Sequence, residues 1–187
     1  MIHIKDNEFI RGNCPMTKEE IRILSISKLG IKEDSRVLDI GAGTGSVSIQ
    51  LAKICSKGEI FAVEKNEEAI HLIEQNRKKF DVHNLTIIKG EALEVEEDIS
   101  PGFDAVFIGG SGGNIEDIIK KYSLKLKTQA NMVLNFITLD NLYRALNTLK
   151  DMKYQVECIQ VSINKTRGKS YMMTSNNSIF IVTAIKP

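Results

Sequence analysis

The sequence predicts an α/β protein built on one mostly parallel, seven-stranded sheet with helices on both faces and one antiparallel strand. Short runs rich in β-branched residues alternate with longer stretches whose apolar residues recur every three or four positions, as in parallel sheets covered by helices. No helical stretch separates the last two strand-like runs, 154–164 and 178–185, so these two should pair antiparallel. The 187 residues contain no repeat and no linker-like segment, which predicts a single domain, 1–187.

The individual elements can be placed from their ends and their periodicity. Thr17 and Glu20 have the spacing of a capping box, which predicts the start of the first helix, and Gly30 predicts its end. Further helices are predicted over 46–55, 67–80, 114–126 and from 139 onward, the last with Leu139, Leu142, Leu146 and Leu149 on one face. Strands are predicted over 36–40, 59–63, 85–89, 103–108, 131–137, 154–164 and 178–185.

Charge and composition narrow the classes of partner. Lys and Arg number 25 against 24 Asp and Glu, without a block of like charge, which weighs against a nucleic-acid partner. No apolar run reaches the ~18 residues that cross a bilayer, and the three cysteines form no closely spaced pair. We therefore expect a cytoplasmic protein without a membrane partner. None of the three histidines follows a predicted strand, so no metal site is predicted.

A glycine-rich turn after the first predicted strand is the strongest chemical signal. Gly41, Gly43 and Gly45 alternate with Ala42 and Thr44 and open a helix, where free amides favour a nucleotide or an anion. Dinucleotide-binding turns have their third glycine at the sixth position, which here is Ser46. The observed spacing is similar to the first motif of S-adenosylmethionine (SAM)-dependent methyltransferases. An unrelated tight turn between strand and helix is the alternative interpretation.

Acidic residues follow the next two predicted strands. Glu64 stands 23 residues after Gly41, near the ~20-residue separation at which a carboxylate binds both ribose hydroxyls of a nucleotide. Glu91 and Ala92 follow the third strand, where methyltransferases of this kind place an acidic and a small residue against adenine. The alternatives are a solvated charge at a helix entry for Glu64 and a plain surface loop for Glu91 and Ala92.

A second glycine-rich turn follows the fourth predicted strand, at 109–113. Its amides could bind substrate carboxylates, although a flexible connection would have the same composition. Asn135, near the end of the fifth strand, could contact substrate or simply satisfy a buried strand end. Lys165, Arg167 and Lys169 form a basic cluster. Such a cluster is usually part of a solvated loop; the alternatives are the rim of a pocket for an acidic substrate and a contact between subunits.

Three motifs together resemble one family. The segments 6–12 (DNEFIRG), 15–22 (PMTKEEIR) and 107–114 (FIGGSGGN), with the first glycine turn, are similar to CbiT, the decarboxylating cobalt-precorrin-6B C15-methyltransferases of the oxygen-independent cobalamin pathway. The resemblance implies a Rossmann-like SAM-dependent methyltransferase fold, an active-site contribution from residues 1–30, and a homotetramer. It implies SAM contacts at Thr17, Gly41, Ala42, Gly43, Thr44, Gly45, Glu64, Glu91 and Ala92, and tetrapyrrole contacts at Arg11, Gly109, Gly110, Ser111, Gly112 and Gly113.

The reaction that the resemblance implies is methylation of C15 of cobalt-precorrin-6B with loss of the C12 acetate carboxyl, giving cobalt-precorrin-7. Arg11 and Asn135 are candidate catalytic residues, and the C5-methyltransferase of the same pathway is a candidate functional partner. Glu91 departs from the family, which more often has aspartate there. The rival interpretations are a SAM-dependent methyltransferase acting on RNA or protein, a non-catalytic SAM-binding subunit, and a nicotinamide oxidoreductase, which Ser46 disfavours.

Overall fold

The computed structural model describes residues 3–110 and 113–187, which contain five α-helices, two 3-10 helices (Asp6–Glu8 and Glu96–Asp98) and nine strands. The α-helices are α1 (Glu19–Lys28), α2 (Ser46–Ile54), α3 (Glu67–Lys79), α4 (Ile115–Ser123) and α5 (Leu139–Asp151). The strands are β1 (Arg36–Ile40), β2 (Glu59–Glu64), β3 (Leu85–Lys89), β4 (Phe103–Ile108), β5 (Leu126–Phe136), β6 (Gln155–Val161), β7 (Asn164–Arg167), β8 (Met172–Ser175) and β9 (Ile179–Ile185).

Seven of these strands form one sheet in the order β3-β2-β1-β4-β5-β9-β6. Strand β9 pairs antiparallel with both β5 and β6, whereas the other neighbouring pairs are parallel. The predicted seven-stranded sheet with one antiparallel strand is therefore confirmed. The strand order reverses direction between β1 and β4, and ligands of open α/β sheets bind at such a reversal, beyond the carboxyl ends of the strands.

Helices cover both faces of the sheet, as predicted. Val37 of β1 packs in a cluster with apolar residues of α1, α2 and α3, whereas Leu38 packs on the opposite face with residues of α4 and α5. Successive residues of a strand point to opposite faces, so both faces of this central strand are buried. None of the helices in the described part of the chain has the length and apolar character needed to span a bilayer.

The segment between β6 and β9 is not the plain loop that the sequence suggested. Strands β7 and β8 pair antiparallel as a separate two-stranded hairpin that contains the basic residues Lys165 and Arg167. Its turn includes Gly168 and Tyr171, both with positive φ. Nearly every residue of this hairpin is exposed, so the burial pattern that reveals the other strands is missing here.

Three helix details also differ from the prediction. The capping box at Thr17 is not formed: α1 begins after Lys18 without a side-chain cap, and the carboxylate of Glu20 instead binds Lys165 Nζ at 2.5 Å. Helix α4 ends at Ser123 rather than near residue 126, because Leu126 already pairs with Phe103 at the start of β5. Leu139 is exposed at the first position of α5 and does not join its buried face.

Candidate active site

A cavity of about 670 Å³ opens at the carboxyl ends of β1 to β5, where the strand order reverses. Its volume lies within the range of roughly 300–1,000 Å³ that is usual for small-molecule sites. The lining comes from both sides of the reversal and from the segment that precedes α1. The residues that line the cavity include Pro15, Thr17, Lys18, Gly41, Ala42, Gly43, Glu64, Lys65, Glu91, Ala92, Gly109, Gly110, Asn135, Ile137 and Ile179.

The first glycine turn forms one wall of this cavity. Gly41, Gly43 and Gly45 all have positive φ, which side chains rarely adopt. A Cβ on Gly41 would lie 2.9 Å from the backbone oxygen of Gly110, and one on Gly43 would lie 3.1 Å from that of Pro15. The turn thus needs glycine both for its conformation and for the close approach of two neighbouring segments.

Only part of the predicted cofactor turn faces the cavity. Gly41, Ala42 and Gly43 line it, whereas Thr44 is buried and Gly45 packs against Ile73 at the start of α2. The roles of Thr44 and Gly45 follow from this placement, because both lie behind the surface that a ligand can touch. They shape the turn and do not themselves line the cavity.

The Glu64 carboxylate is held at the cavity wall by three backbone amides. Its Oε2 accepts a hydrogen bond from Gly43 N at 2.8 Å, and its Oε1 accepts from the amides of Lys65 and Asn66, each at 2.9 Å. The same side chain therefore fixes the glycine turn of β1 to the end of β2. A carboxylate has about four acceptor sites, two on each oxygen, so Oε1 is saturated and Oε2 retains one site that a ligand hydroxyl can use.

Asp39 lies buried below this turn, on β1. Ser48 of α2 donates a hydrogen bond to its Oδ2, and its Oδ1 has no partner within the described residues. The pKa of Asp39 is raised to about 7 from its ordinary value of 3.8. Burial is the largest cause, the hydrogen bonds from Ser48 oppose it, and the charge of Glu64 adds to it. Asp39 therefore keeps its proton over much of the acidic range, in which the unfolded chain has lost it.

We expect Asp39→Asn to gain stability relative to the wild type as the pH rises from 4 to 8. The unfolded Asp39 loses its proton near pH 3.8, whereas the folded one keeps it until about pH 7, so this group lowers the free energy of unfolding progressively between those values. That difference in pKa corresponds to roughly 4 kcal/mol. Urea unfolding of both proteins at several pH values measures it. Asp34→Asn, at an exposed position, should show no such trend, and a trendless Asp39→Asn would contradict the assignment.

The loop after β3 is fastened to the same region. Gly90 N donates to the carbonyl of Glu64 at 2.9 Å, and the ammonium of Lys65 pairs with Glu91 Oε2 at 2.8 Å. The carbonyl of Ala92 accepts a hydrogen bond from the Tyr122 hydroxyl at 2.7 Å. Glu64, Glu91 and Ala92, which the sequence predicted as cofactor residues, are thus brought together on one side of the cavity.

The segment before α1 forms a second wall and is held by a buried arginine. Arg22 is fully buried, and its guanidinium donates to the backbone oxygens of Ile4 (2.6 Å) and Thr17 (2.7 Å). It also donates to Gln50 Oε1 at 3.0 Å and Asp6 Oδ1 at 3.1 Å. Thr17 consequently lies in the cavity wall, and the SAM contact that the resemblance implies for it stays a prediction.

Sequence reasoning did not identify Arg22. Its position was nevertheless visible as a pattern, because it shares one face of α1 with Ser25, Ile26 and Leu29, at spacings of three, four and seven residues. A charged residue on an apolar helix face needs partners when it is buried. Asn76 was missed as well: it binds both the amide and the carbonyl of Ile10 and donates to the carbonyl of Thr44.

Only some of the predicted substrate residues line the cavity. Gly109 and Gly110 line the cavity, and Gly109 N donates to the carbonyl of Ile40 at 2.9 Å. Gly113 and Arg11 are exposed and lie outside the lining, and Ser111 and Gly112 lie outside the described residues.

Asn135 lines the cavity, and its side-chain amide contacts Ser25 Oγ of α1, with Oδ1 at 3.1 Å and Nδ2 at 3.0 Å. Asn135 therefore joins the carboxyl end of β5 to the first helix. In residues 3–110 and 113–187, no cluster of three or more His, Cys, Asp and Glu side chains has the arrangement to hold a metal ion.

A strand reversal with a glycine turn facing a carboxylate at the end of the next strand is typical of Rossmann-like folds that bind an adenine nucleotide, the class that includes the SAM-dependent methyltransferases. Residues 8–186 match the family described as a precorrin methyltransferase domain. The chain is 41% identical over 188 residues to the probable cobalt-precorrin-6B C15-methyltransferase (decarboxylating) of Sulfurisphaera tokodaii, covering 98% of this chain and 97% of the relative. It is 36% identical to the cobalt-precorrin-6B C15-methyltransferase (decarboxylating) of Salmonella typhimurium, covering 98% of this chain and 96% of the relative.

Two crystal structures share the fold over nearly the whole chain. The Geobacter metallireducens precorrin-6y C5,15-methyltransferase superposes with a TM-score of 0.93 at 42% identity, covering 100% of this chain and 98% of the other. The Methanobacterium thermoautotrophicum precorrin 8w decarboxylase superposes with a TM-score of 0.90 at 29% identity, covering 97% of this chain and 98% of the other. This chain therefore belongs to the decarboxylating cobalt-precorrin-6B C15-methyltransferase family, which confirms the resemblance drawn from its motifs.

Proposed function

We propose that the chain transfers a methyl group from SAM to C15 of cobalt-precorrin-6B and removes the C12 acetate carboxyl as carbon dioxide, giving cobalt-precorrin-7. The observation that carries this proposal is the Glu64 carboxylate, which backbone amides hold beside the glycine turn. The chain is also 41% identical to a relative described as a probable cobalt-precorrin-6B C15-methyltransferase (decarboxylating). The chain's membership of the family supports the identity of the tetrapyrrole. The cavity supports a reaction between two ligands, because it extends to both sides of the strand reversal.

The cofactor half fits SAM by the chemistry of its donors and acceptors. The Glu64 carboxylate has acceptor capacity for a ribose hydroxyl at Oε2, and Glu91 and Ala92 lie beside it for adenine. Gly41 and Gly43 present backbone without side chains to the cavity. Thr17 completes the wall from the other side. When bound, SAM supplies a methyl group activated by the positive charge on its sulfur. The chain's task is then to hold the two reactants in line and to exclude water.

The substrate half combines amides with apolar side chains. Gly109 and Gly110 present a glycine backbone for carboxylates, and Ile137 and Ile179 present apolar surface for the macrocycle. Ser111, Gly112 and Gly113 follow them in the sequence and stay proposed substrate contacts. Asn135 and the more distant Arg11 remain candidate catalytic residues. The conjugated ring can itself accept the electron pair left by the departing carboxyl, so positioning suffices and no covalent nucleophile is required.

The proposal is tested by incubating the purified protein with SAM and cobalt-precorrin-6B and following product mass, S-adenosylhomocysteine and carbon dioxide. For each molecule of S-adenosylhomocysteine formed, we expect the tetrapyrrole to gain one methyl group and to lose one carboxyl group. A methyl gain without carbon dioxide would remove the decarboxylating half of the proposal. No product would remove the tetrapyrrole substrate. Tight SAM binding without turnover of this substrate would instead favour the non-catalytic binding role.

We also propose that the protein forms a homotetramer. The β7–β8 hairpin supports self-association because it carries exposed apolar side chains, among them Tyr171 (76% exposed), Met172 (61%) and Met173 (61%). Light scattering after gel filtration should give four times the chain mass of 20.9 kDa. Replacing both methionines by lysine should lower that mass, while Lys150→Glu on the far helix α5 should not. A monomeric wild type would contradict the proposal.

Two further proposals concern the cellular setting. The family supports a cytoplasmic enzyme, and the three cysteines, which are free in the structure, fit a reducing compartment. The C5-methyltransferase of the same pathway remains the proposed functional partner, since it acts on the same macrocycle. Co-purification from cells that make cobalamin, with each protein tagged in turn, tests that partnership.

A further inference from the structure

One lysine of the cavity, Lys18, pairs with no carboxylate in the described part of the chain. Two lysines line the cavity, Lys18 and Lys65. The ammonium of Lys65 pairs with Glu91 at 2.8 Å, on the cofactor half. Lys18 is half-buried at the start of α1 and forms no ion pair within residues 3–110 and 113–187. A cation that is partly removed from water and unpaired is a site where a ligand carboxylate binds favourably.

The acidic neighbours of Lys18 are engaged elsewhere. Glu19 binds His3 Nε2 at 2.9 Å and accepts a hydrogen bond from Asp6 N at 3.2 Å. Glu20 binds Lys165 Nζ of the hairpin at 2.5 Å. Both carboxylates that follow Lys18 in the chain therefore serve to fix the amino-terminal segment and the hairpin, and the ammonium group of Lys18 is left for a ligand.

The direction of α1 places Lys18 on the substrate half of the cavity. The carbonyl of Lys28, at the end of α1, accepts from Asn131 Nδ2 at 2.9 Å, and Ser25 contacts Asn135 further along β5. Helix and strand thus run in opposite directions. A helix rises about 1.5 Å per residue, so Lys18 lies roughly 10 Å beyond Ser25 along the helix axis, past the carboxyl end of β5. Glu64 lies on the other side of the strand reversal.

We propose that Lys18 binds a carboxylate of the tetrapyrrole and thereby sets the orientation of the macrocycle in the cavity. This inference rests on the proposed function, because it takes the substrate to be a polycarboxylate. An ammonium group pairs with one carboxylate as a point charge and tolerates some rotation, whereas the apolar side chains of Ile137 and Ile179 can contact the ring itself. Lys18 is then a determinant of substrate binding, whereas the residue before it, Thr17, is the proposed SAM contact of the same segment.

The test compares Lys18→Met, which removes the charge at similar size, with Lys18→Arg, which keeps it. The dissociation constant of cobalt-precorrin-6B is measured by equilibrium dialysis, and that of SAM by calorimetry. Losing one charge-assisted contact should weaken tetrapyrrole binding by about 10- to 100-fold in the methionine variant. SAM binding should stay within about twofold of the wild type in both variants, and arginine should restore most of the tetrapyrrole affinity. Lys78→Met, on an exposed site of α3, is the matched control.

The outcomes separate the inference from the proposed function. Wild-type protein that neither binds nor methylates cobalt-precorrin-6B overturns the proposed function and the inference with it. Wild-type turnover combined with an unchanged tetrapyrrole affinity in Lys18→Met overturns the inference alone. The inference also fails if the methionine variant loses SAM affinity equally, or if the arginine variant is as weak as the methionine variant, since either result indicates a structural role.

Discussion

Replacing Glu64 with glutamine is expected to raise the dissociation constant for SAM by about 10- to 100-fold. The carboxylate receives amides on both sides, from Gly43 at one oxygen and from Lys65 and Asn66 at the other. A glutamine side chain has one acceptor oxygen and one NH₂ group. On one side of the side chain, the NH₂ donor would therefore face a backbone N–H donor. The substitution therefore removes the proposed ribose acceptor and also loosens the glycine turn.

Calorimetric titration of SAM into the purified variant measures this effect directly. Glu67→Gln is the matched control, because Glu67 is exposed at the first position of α3 and lies outside the cavity lining. The control should bind SAM as the wild type does. A Glu64→Gln protein that is folded and binds SAM within about twofold of the wild type would exclude the ribose role and with it the proposed cofactor half.

The sheet and its glycine turn were predictable because their signals are local. The predicted strand 36–40 coincides with β1, and the predicted helix 67–80 differs from α3 (Glu67–Lys79) by one residue. Buried strands carry continuous runs of β-branched residues, and turns with positive φ require glycine at particular positions. The acidic residue at the end of β2, Glu64, was predictable from its spacing to the glycine turn, and its carboxylate accepts a hydrogen bond from Gly43 within that turn.

The contacts that complete the cavity depend on residues distant in sequence. Glu20 has the spacing of a capping residue but pairs with Lys165, which lies 145 positions away, so the local pattern predicted the wrong partner. The hairpin was missed for a related reason. Strand β7 is fully exposed and has no burial alternation that its sequence could reveal. Local propensity predicts secondary structure, whereas the choice of polar partners is decided by tertiary packing.

Arg22→Met is expected to lower the free energy of unfolding by roughly 3–5 kcal/mol. The guanidinium is fully buried, and four acceptors converge on it: the carbonyls of Ile4 and Thr17, and the side chains of Gln50 and Asp6. Methionine fills a similar volume but donates no hydrogen bond, so buried oxygens lose their partners without gaining water. Lysine cannot replace the planar group either, because its single ammonium does not span acceptors on several sides.

The loss should be largest in the segment that walls the cavity. Arg22 joins residues 4–17 to α1 and α2, and Asn76 of α3 holds the same segment at Ile10 with hydrogen bonds of 2.9 Å. Without Arg22, we expect the amides of this segment to exchange hydrogen faster while those of the central strand β4 stay protected. Because Thr17 and Pro15 belong to the same wall, ligand binding should weaken along with it.

Urea unfolding, amide hydrogen exchange and SAM titration of the variant test these three consequences together. Arg144→Met is the control, since Arg144 lies on the surface of α5 and its ion pairs with Asp140 and Glu116 are half-exposed. Exposed pairs contribute about 0–1 kcal/mol, so the control should unfold almost as the wild type does. Equal losses in the two variants, or exchange that rises uniformly through β4, would show that Arg22 contributes to general stability and does not specifically hold the cavity wall.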